Sequence, residues 1–149
     1  MLQRACNGSD AASCNALGEL LERSQRNTIR SEPLYRRGCF RAEPAACFNL
    51  GRVEHLRNAD QARRHYEAAC MRQSQLACAV LKVSYGQNKT VIPHPEVMSR
   101  HTQACTRGSN PDCAIAGVLQ AASGSAMAKG NLNRACTSGD KWACEIQKS

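Results

Sequence analysis

The residues of this chain best suited to chemistry are its cysteines, because they are numerous and regularly spaced. The sequence of 149 residues contains ten of them, in five pairs with the spacing Cys-x7-Cys, and the pairs recur every 31 to 35 residues. A constant period of this length is typical of proteins built from repeated supersecondary units. The pairs are Cys6/Cys14, Cys39/Cys47, Cys70/Cys78, Cys105/Cys113 and Cys136/Cys144.

Three uses of these cysteines are open from the sequence. Zinc usually takes short Cys-x2–4-Cys knuckles, which are absent, and the four histidines (His55, His65, His94 and His101) do not follow the cysteine period. Ten free buried thiols would suit a reducing compartment. An even count with one repeated spacing favours disulfides, although spacing alone does not give the pairing. We expect no metal and no cofactor.

The elements that would position these cysteines are pairs of helices. Two residues eight apart on a straight helix are separated by roughly 12 Å, whereas a disulfide needs Cα atoms about 4.4–6.8 Å apart. Bonded pairs therefore require a turn between two helices. Most of the intervening segments contain helix-stop or helix-start residues, such as Gly8, Gly108 and Pro111, and the segment between Cys70 and Cys78 has the weakest signal.

No β pattern is found, so the chain is predicted to be all-α, and prolines such as Pro33 and Pro44 are placed at helix starts. The longest irregular segment is 86–94. The predicted helices are 1–8, 10–24, 31–41, 44–58, 60–72, 75–85, 95–107, 111–122, 126–138 and 140–147.

Glycine residues recur at a constant distance from the cysteines. Gly18, Gly51 and Gly117 stand four residues after the second cysteine of a pair, where the third unit has Lys82. Glycine inside a helix costs about 1 kcal/mol relative to Ala, so its repetition predicts close helix–helix packing. The residue four before the first cysteine is large, and His101 is interpreted as a semi-buried substitute for Tyr at that position.

The signature Ala-Cys-x7-Cys-x3-Gly, preceded by a tyrosine as in residues 64–70, resembles Sel1-like repeats, which are related to TPR repeats. The resemblance is closest to their disulfide-stapled subgroup and covers essentially the whole chain. It implies an α/α superhelical solenoid with one disulfide in each Cys-x7-Cys hairpin. The expected organisation is a single domain over residues 1–149, with about four repeats and partial units at both ends.

The resemblance also suggests what the protein does. Repeat scaffolds of this type mostly bind proteins, so a non-catalytic interaction scaffold is the main hypothesis. One alternative is a periplasmic immunity protein that neutralises a secreted antibacterial effector such as a phospholipase. The other is weak β-lactam binding or hydrolysis, but Ser125 and Lys129 are one residue too far apart for Ser-x-x-Lys, and Val91 follows Lys89-Thr90 where Lys-Thr-Gly needs glycine. No catalytic residue is predicted.

The formal net charge is +8, and eleven arginines lie between Arg23 and Arg72. This charge suits solvated helix faces, an acidic protein partner or an anionic surface. Nucleic acid is not expected, because stacking aromatic residues are not interleaved with the basic ones. The expected partner is therefore a protein, and an acidic one would complement this charge.

The partner is expected on a concave face formed by the helices that follow the second cysteines. Exposed candidates for this face are Glu19, Arg23, Arg52, His55, Lys82 and Gln120. Disulfides would place the protein in an oxidising compartment, either the periplasm or outside the cell. The sequence contains no recognisable targeting signal and no run of about 20 apolar residues.

Overall fold

The computed structural model describes residues 1–25 and 28–148, and in these residues every regular element is an α-helix. The expectation of an all-α protein is confirmed, and the described residues form ten helices, the number predicted. They are α1 (Leu2–Asn7), α2 (Ala11–Gln25), α3 (Thr28–Phe40), α4 (Pro44–Glu54), α5 (Ala59–Met71), α6 (Gln75–Tyr85), α7 (Pro95–Thr106), α8 (Asn110–Ala122), α9 (Met127–Thr137) and α10 (Lys141–Gln147).

The chain divides into two compact units, Met1–Ser74 with α1 to α5 and Gln75–Ser149 with α6 to α10. In the first unit, each helix packs on the next in sequence up to α5, and α2 also packs on α4. In the second unit, α8 packs on α6, α7 and α9, and α10 packs mainly on α9. Residues 86–94 lie outside the helices, as predicted.

Every cysteine is disulfide-bonded, which confirms the oxidised state. The Cα–Cα distances are 4.6 Å for Cys6–Cys14, 4.4 Å for Cys39–Cys47, 4.5 Å for Cys105–Cys113 and 4.7 Å for Cys136–Cys144. Cys70 and Cys78 are disulfide-bonded as well. The four measured distances are short because, in each of these four pairs, the two helices that carry the cysteines pack on each other.

The five turns share one backbone geometry. In the second turn, the amide of Glu43 donates to the carbonyl of Gly38 at 3.0 Å, and Ala42 adopts a left-handed conformation with φ of 65°. This is the hydrogen bond of a Schellman motif, which ends a helix with a left-handed residue. The left-handed residue is always the third after the first cysteine, namely Ser9, Ala42, Gln73, Gly108 and Gly139.

Two details of the turns differ from the sequence analysis. Gly8 was expected to stop the first helix, but its φ is −82° and Ser9 takes the left-handed conformation instead. The segment after Cys70, which had the weakest turn signal, forms the same turn, with the amide of Ser74 on the carbonyl of Ala69. The backbone hydrogen bond of the motif therefore forms in this turn although the turn contains no glycine.

The repeated glycines lie where helices meet. A Cβ atom added to Gly18 would lie 2.6 Å from the Cε1 atom of Tyr35, and one added to Gly51 would lie 2.8 Å from Cε1 of Tyr66. At Gly117 the obstructing residue is Leu132, with Cγ at 2.7 Å. The predicted packing role of these glycines is therefore confirmed.

Helix boundaries differ from the prediction mainly around α3 and α4. Pro33 was expected near a helix start, but α3 begins at Thr28 and contains Pro33 in its interior. A proline there removes the amide that would donate to the carbonyl of Ile29. Helix α4 ends at Glu54, four residues earlier than predicted.

Candidate functional site

Four of the six predicted contact residues belong to the first unit. Glu19 and Arg23 lie on α2, Arg52 lies on α4, and His55 follows α4 directly. Since α2 packs on α4, Glu19, Arg23 and Arg52 lie on neighbouring helices.

The side chain of Glu22, on α2, contacts residues of both α3 and α4. Its carboxylate accepts two hydrogen bonds from the Arg52 guanidinium, at 2.8 and 2.6 Å, and a third from the Tyr35 hydroxyl at 2.6 Å. Burial alone would raise the pKa of Glu22, but the hydrogen bonds and the charge of Arg52 lower it on balance. Burial raises the pKa of Tyr35, so its hydroxyl stays protonated and donates. Arg52 therefore joins α4 to α2.

A chain of amide contacts continues this polar network. The Asn49 side chain donates to Oδ1 of Asn15 at 2.9 Å, and Asn15 donates to Oε1 of Glu19 at 2.6 Å. Arg23 pairs with the other Glu19 oxygen at 3.2 Å. The charges of Glu19 and Arg52 are thus matched inside the unit, and a partner would have to displace existing ion pairs to reach them.

His55 is partly buried and contacts a core tyrosine. Its Nδ1 atom lies 3.0 Å from the hydroxyl of Tyr66, and the two rings meet edge to face. This tyrosine is the residue that packs on Gly51, so His55 borders the helix contact.

The two predicted residues of the second unit behave differently from each other. Lys82 is exposed, as expected, and its Nζ donates to the carbonyl of Ala122 at 2.9 Å, at the end of α8. Gln120 was expected to be exposed, which is wrong, because only 6% of it is accessible. It accepts a hydrogen bond from Asn131 at 2.7 Å and so joins α8 to α9. Helical phase alone did not reveal that α9 covers this side of α8.

A surface that the sequence analysis missed runs along α3. It is a groove of about 600 Å³, here called the α3 groove. Its lining consists of Thr28, Ile29, Glu32, Pro33, Arg36, Arg37, Phe40, Arg41 and Arg57. Phe40 and Ile29 are 90% and 79% exposed, which is unusual for side chains of this size.

The α3 groove has a sequence signal that was overlooked. Ile29, Pro33, Arg36 and Phe40 follow the spacing i, i+4, i+7 and i+11, which places them on one helix face. A proline at position 33 predicts a helix start, so Ile29 lies outside the predicted helix and the four residues are not recognised as one face. Arg26 is another arginine of this stretch and lies outside the described residues.

The α3 groove is rich in arginine. Glu32 is its one lining carboxylate in the described chain, and its Oε2 atom accepts from both Arg36 and Arg57 at 2.8 Å. Burial would raise the pKa of Glu32, but these two arginines lower it on balance, and the hydrogen bond that Arg57 donates to Glu32 in turn raises the pKa of Arg57. Arg37 donates to the neutral side chain of Asn7 at 3.1 Å.

A cluster of Ser109, Asp112 and His101 contains the residue types of a hydrolase triad. His101 Nδ1 lies 2.8 Å from Oδ1 of Asp112, and the Ser109 hydroxyl donates to the other oxygen of the same carboxylate. The aspartate thus stands in the middle, whereas a triad needs the histidine next to the serine. The cluster ties α7 to the start of α8, and His101 is partly buried as predicted.

Metal-binding clusters and membrane-spanning helices were looked for in residues 1–25 and 28–148. No group of three or more His, Cys, Asp or Glu side chains is arranged to hold a metal ion. No helix in the described part is both long and apolar enough to cross a membrane. The disulfides indicate an oxidising compartment.

Comparison with models of protein families finds no match, and comparison with curated proteins finds no significantly similar sequence.

Proposed function

We propose that this chain is a non-catalytic protein-interaction scaffold of the Sel1-like solenoid type, working in the periplasm or outside the cell. The observation that carries this proposal is the α3 groove, where Phe40 and Ile29 are exposed beside four arginines. Burying a phenylalanine side chain releases about 1.5–3 kcal/mol, so leaving Phe40 in water is compensated when a partner covers it.

The α3 groove is better suited to a partner than the face around Glu22. At that face Arg52 and Glu19 already have partners in the unit, and displacing them would cost the hydrogen bonds that they make. In the α3 groove the Phe40 side chain is 90% exposed, so a partner can cover it without breaking a hydrogen bond of that side chain. Helices held by disulfides also keep the groove in place before binding, which avoids an ordering cost.

The immunity-protein hypothesis is a special case of this proposal. The arginines of the α3 groove would attract an acidic effector and speed its capture by electrostatic steering. If the chain has this role, it should inhibit a secreted effector from the same cell at equimolar concentration. For the β-lactam hypothesis, incubation with a chromogenic β-lactam is the test, and we expect no turnover.

The scaffold proposal is tested by capture from an extract of the oxidising compartment. The oxidised chain and its Phe40→Ser variant serve as baits, and captured proteins are quantified by mass spectrometry. Met71→Ser is the matched control, because Met71 is 83% exposed and also follows the first cysteine of its pair.

We expect the Phe40→Ser bait to capture about tenfold less of at least one protein, and the Met71→Ser bait to capture as much of it as the original chain. A loss of this size is typical of a residue at the centre of an interface. If the two variants capture the same proteins as the original chain, the α3 groove is not the binding surface.

A further inference from the structure

We infer that the α3 groove binds an acidic protein segment that carries an apolar side chain. This inference deepens the scaffold function proposed above and rests on it. The apolar residues of the groove define one part of the ligand, and the arginines define the other.

The apolar part is formed by Ile29, Pro33 and Phe40, which lie on one face of α3. A volume of about 600 Å³ falls within the usual range for ligand pockets and accommodates one or two large side chains. An extended or helical segment with a leucine or an aromatic residue at its centre would cover Phe40 and Ile29.

The charged part selects carboxylates. Glu32 is shared between Arg36 and Arg57, and Arg36 is also 3.6 Å from the buried carboxylate of Glu54. In the described chain, Arg37 and Arg41 form no ion pair with a carboxylate. Guanidinium groups bind carboxylates with two parallel hydrogen bonds, so these two arginines suit Glu or Asp side chains of a partner.

Other occupants fit the α3 groove less well. A second copy of the chain docked through the same surface would bring its arginines against those of the first copy, and such like-charge contacts oppose association. An anionic bilayer would attract the arginines, but lipid surfaces bind amphipathic helices whose apolar face inserts among the lipids. On this face of α3, Arg36 lies between Pro33 and Phe40, so the apolar residues do not form the continuous strip that inserts into a bilayer.

The test uses fluorescence polarisation with a labelled peptide in which Glu and Asp residues flank a central Leu-Phe pair. One control peptide replaces the acidic residues with Lys, and another replaces Leu-Phe with Gly-Ser. The protein variants are Arg41→Glu and Phe40→Ser, both at exposed positions. Their matched controls are Arg64→Glu, an exposed arginine of α5 outside the groove, and Met71→Ser.

We expect saturable binding of the acidic peptide, weakened about tenfold by Arg41→Glu and by Phe40→Ser and less than twofold by the control variants. Higher salt should weaken binding, and both control peptides should bind much less. Binding that Arg64→Glu weakens as much as Arg41→Glu would show a diffuse charge effect and overturn the inference.

Two further measurements identify the other occupants. Binding to phosphatidylglycerol vesicles with no binding of the peptide would assign the groove to lipid, and a concentration-dependent dimer in sedimentation that Phe40→Ser abolishes would assign it to a second copy. If the extract protein captured through Phe40 is not displaced by the acidic peptide, the scaffold function stands and the ligand chemistry inferred here is wrong. If no protein is captured through Phe40, the scaffold proposal itself fails at this surface.

Discussion

The five turns differ in sequence but share one backbone geometry, in which one residue of each turn adopts the left-handed conformation. The left-handed position holds glycine in the turns with Gly108 and Gly139, but it holds Ser9, Ala42 and Gln73 in the others. A residue with a side chain pays a steric cost of about 1–2 kcal/mol in this conformation. The remaining interactions of the hairpin must outweigh that cost in three of the five turns.

Replacing Ala42 with glycine should therefore stabilise the protein. Glycine relieves the strain at φ of 65° but gains more freedom in the unfolded chain, so the expected net increase in the free energy of unfolding is about 0.5 kcal/mol. Denaturant titration of the oxidised protein measures it. Ala68→Gly, inside α5, is the control and should lower stability by about 1 kcal/mol. A loss of stability at Ala42 equal to that at Ala68 would contradict this account.

Adding one methyl group at Gly51 should have the opposite effect. The new Cβ would lie 2.8 Å from the ring of Tyr66, which is fully buried, and 3.2 Å from the carbonyl of Ala62. We expect Gly51→Ala to lower the free energy of unfolding by about 1–2 kcal/mol, since overpacking outweighs the better helix propensity of alanine. Thermal unfolding monitored by circular dichroism measures the change.

Gly130 offers a matched control for this substitution. It also lies inside a helix, α9, but no atom is within 4 Å of the position of an added Cβ. Gly130→Ala should therefore raise stability by about 0.5–1 kcal/mol. Equal effects at Gly51 and Gly130 would show that the helices do not pack closely at Gly51.

At the scale of helices, the packing of α2, α3 and α4 depends on the Glu22 carboxylate as well as on apolar contacts. Arg52 reaches it from α4 and Tyr35 from α3. Because the pKa of Glu22 is lowered in the folded protein, its ionised form is the one that stabilises the fold.

This gives a pH dependence with a definite sign. The contribution of Glu22 is fully present above the pKa of Glu in the unfolded chain, about 4.3, and is lost as the pH falls through the lower folded value. We expect Glu22→Gln to lower the melting temperature at pH 7. Between pH 5 and pH 2, the melting temperature of this variant should decrease less than that of the original protein. Glu96→Gln is the control, because Glu96 is exposed and forms no ion pair in the described chain, and it should lower the melting temperature at pH 7 much less than Glu22→Gln does. The same pH profile for all three proteins would contradict this role.

For the whole molecule, the disulfides are a large part of the stability. Closing a loop of about nine residues contributes roughly 2.5 kcal/mol, so five bridges contribute on the order of 10 kcal/mol. Domains are typically stable by about 5–15 kcal/mol in total. The low aromatic content, one Trp, three Tyr and two Phe, gives few large core residues to compensate for their loss.

Reduction should therefore abolish cooperative unfolding. We expect the oxidised protein to unfold in sharp transitions, one for each unit or one for the whole chain. In excess phosphine reductant, the protein should lose most of its near-ultraviolet circular dichroism at 37 °C. As a check on the starting state, iodoacetamide added before the reductant should modify no cysteine, because all ten are bonded. Unchanged unfolding after full alkylation of ten thiols would show that the helices do not need the bridges.

The sequence by itself favoured disulfides without giving their pairing, and it determined the all-α class, the turns between paired helices and the packing role of Gly18, Gly51 and Gly117. These features are local or repeat with the cysteine period, so spacing along the chain is enough to reveal them. Only the tertiary structure decided which side chains face solvent. In the structure, Gln120 is buried under α9 and Arg52 forms an ion pair with Glu22. Phe40 and Ile29 are exposed beside four arginines. Exposure depends on which helix covers which face, and residues far apart in the sequence determine that.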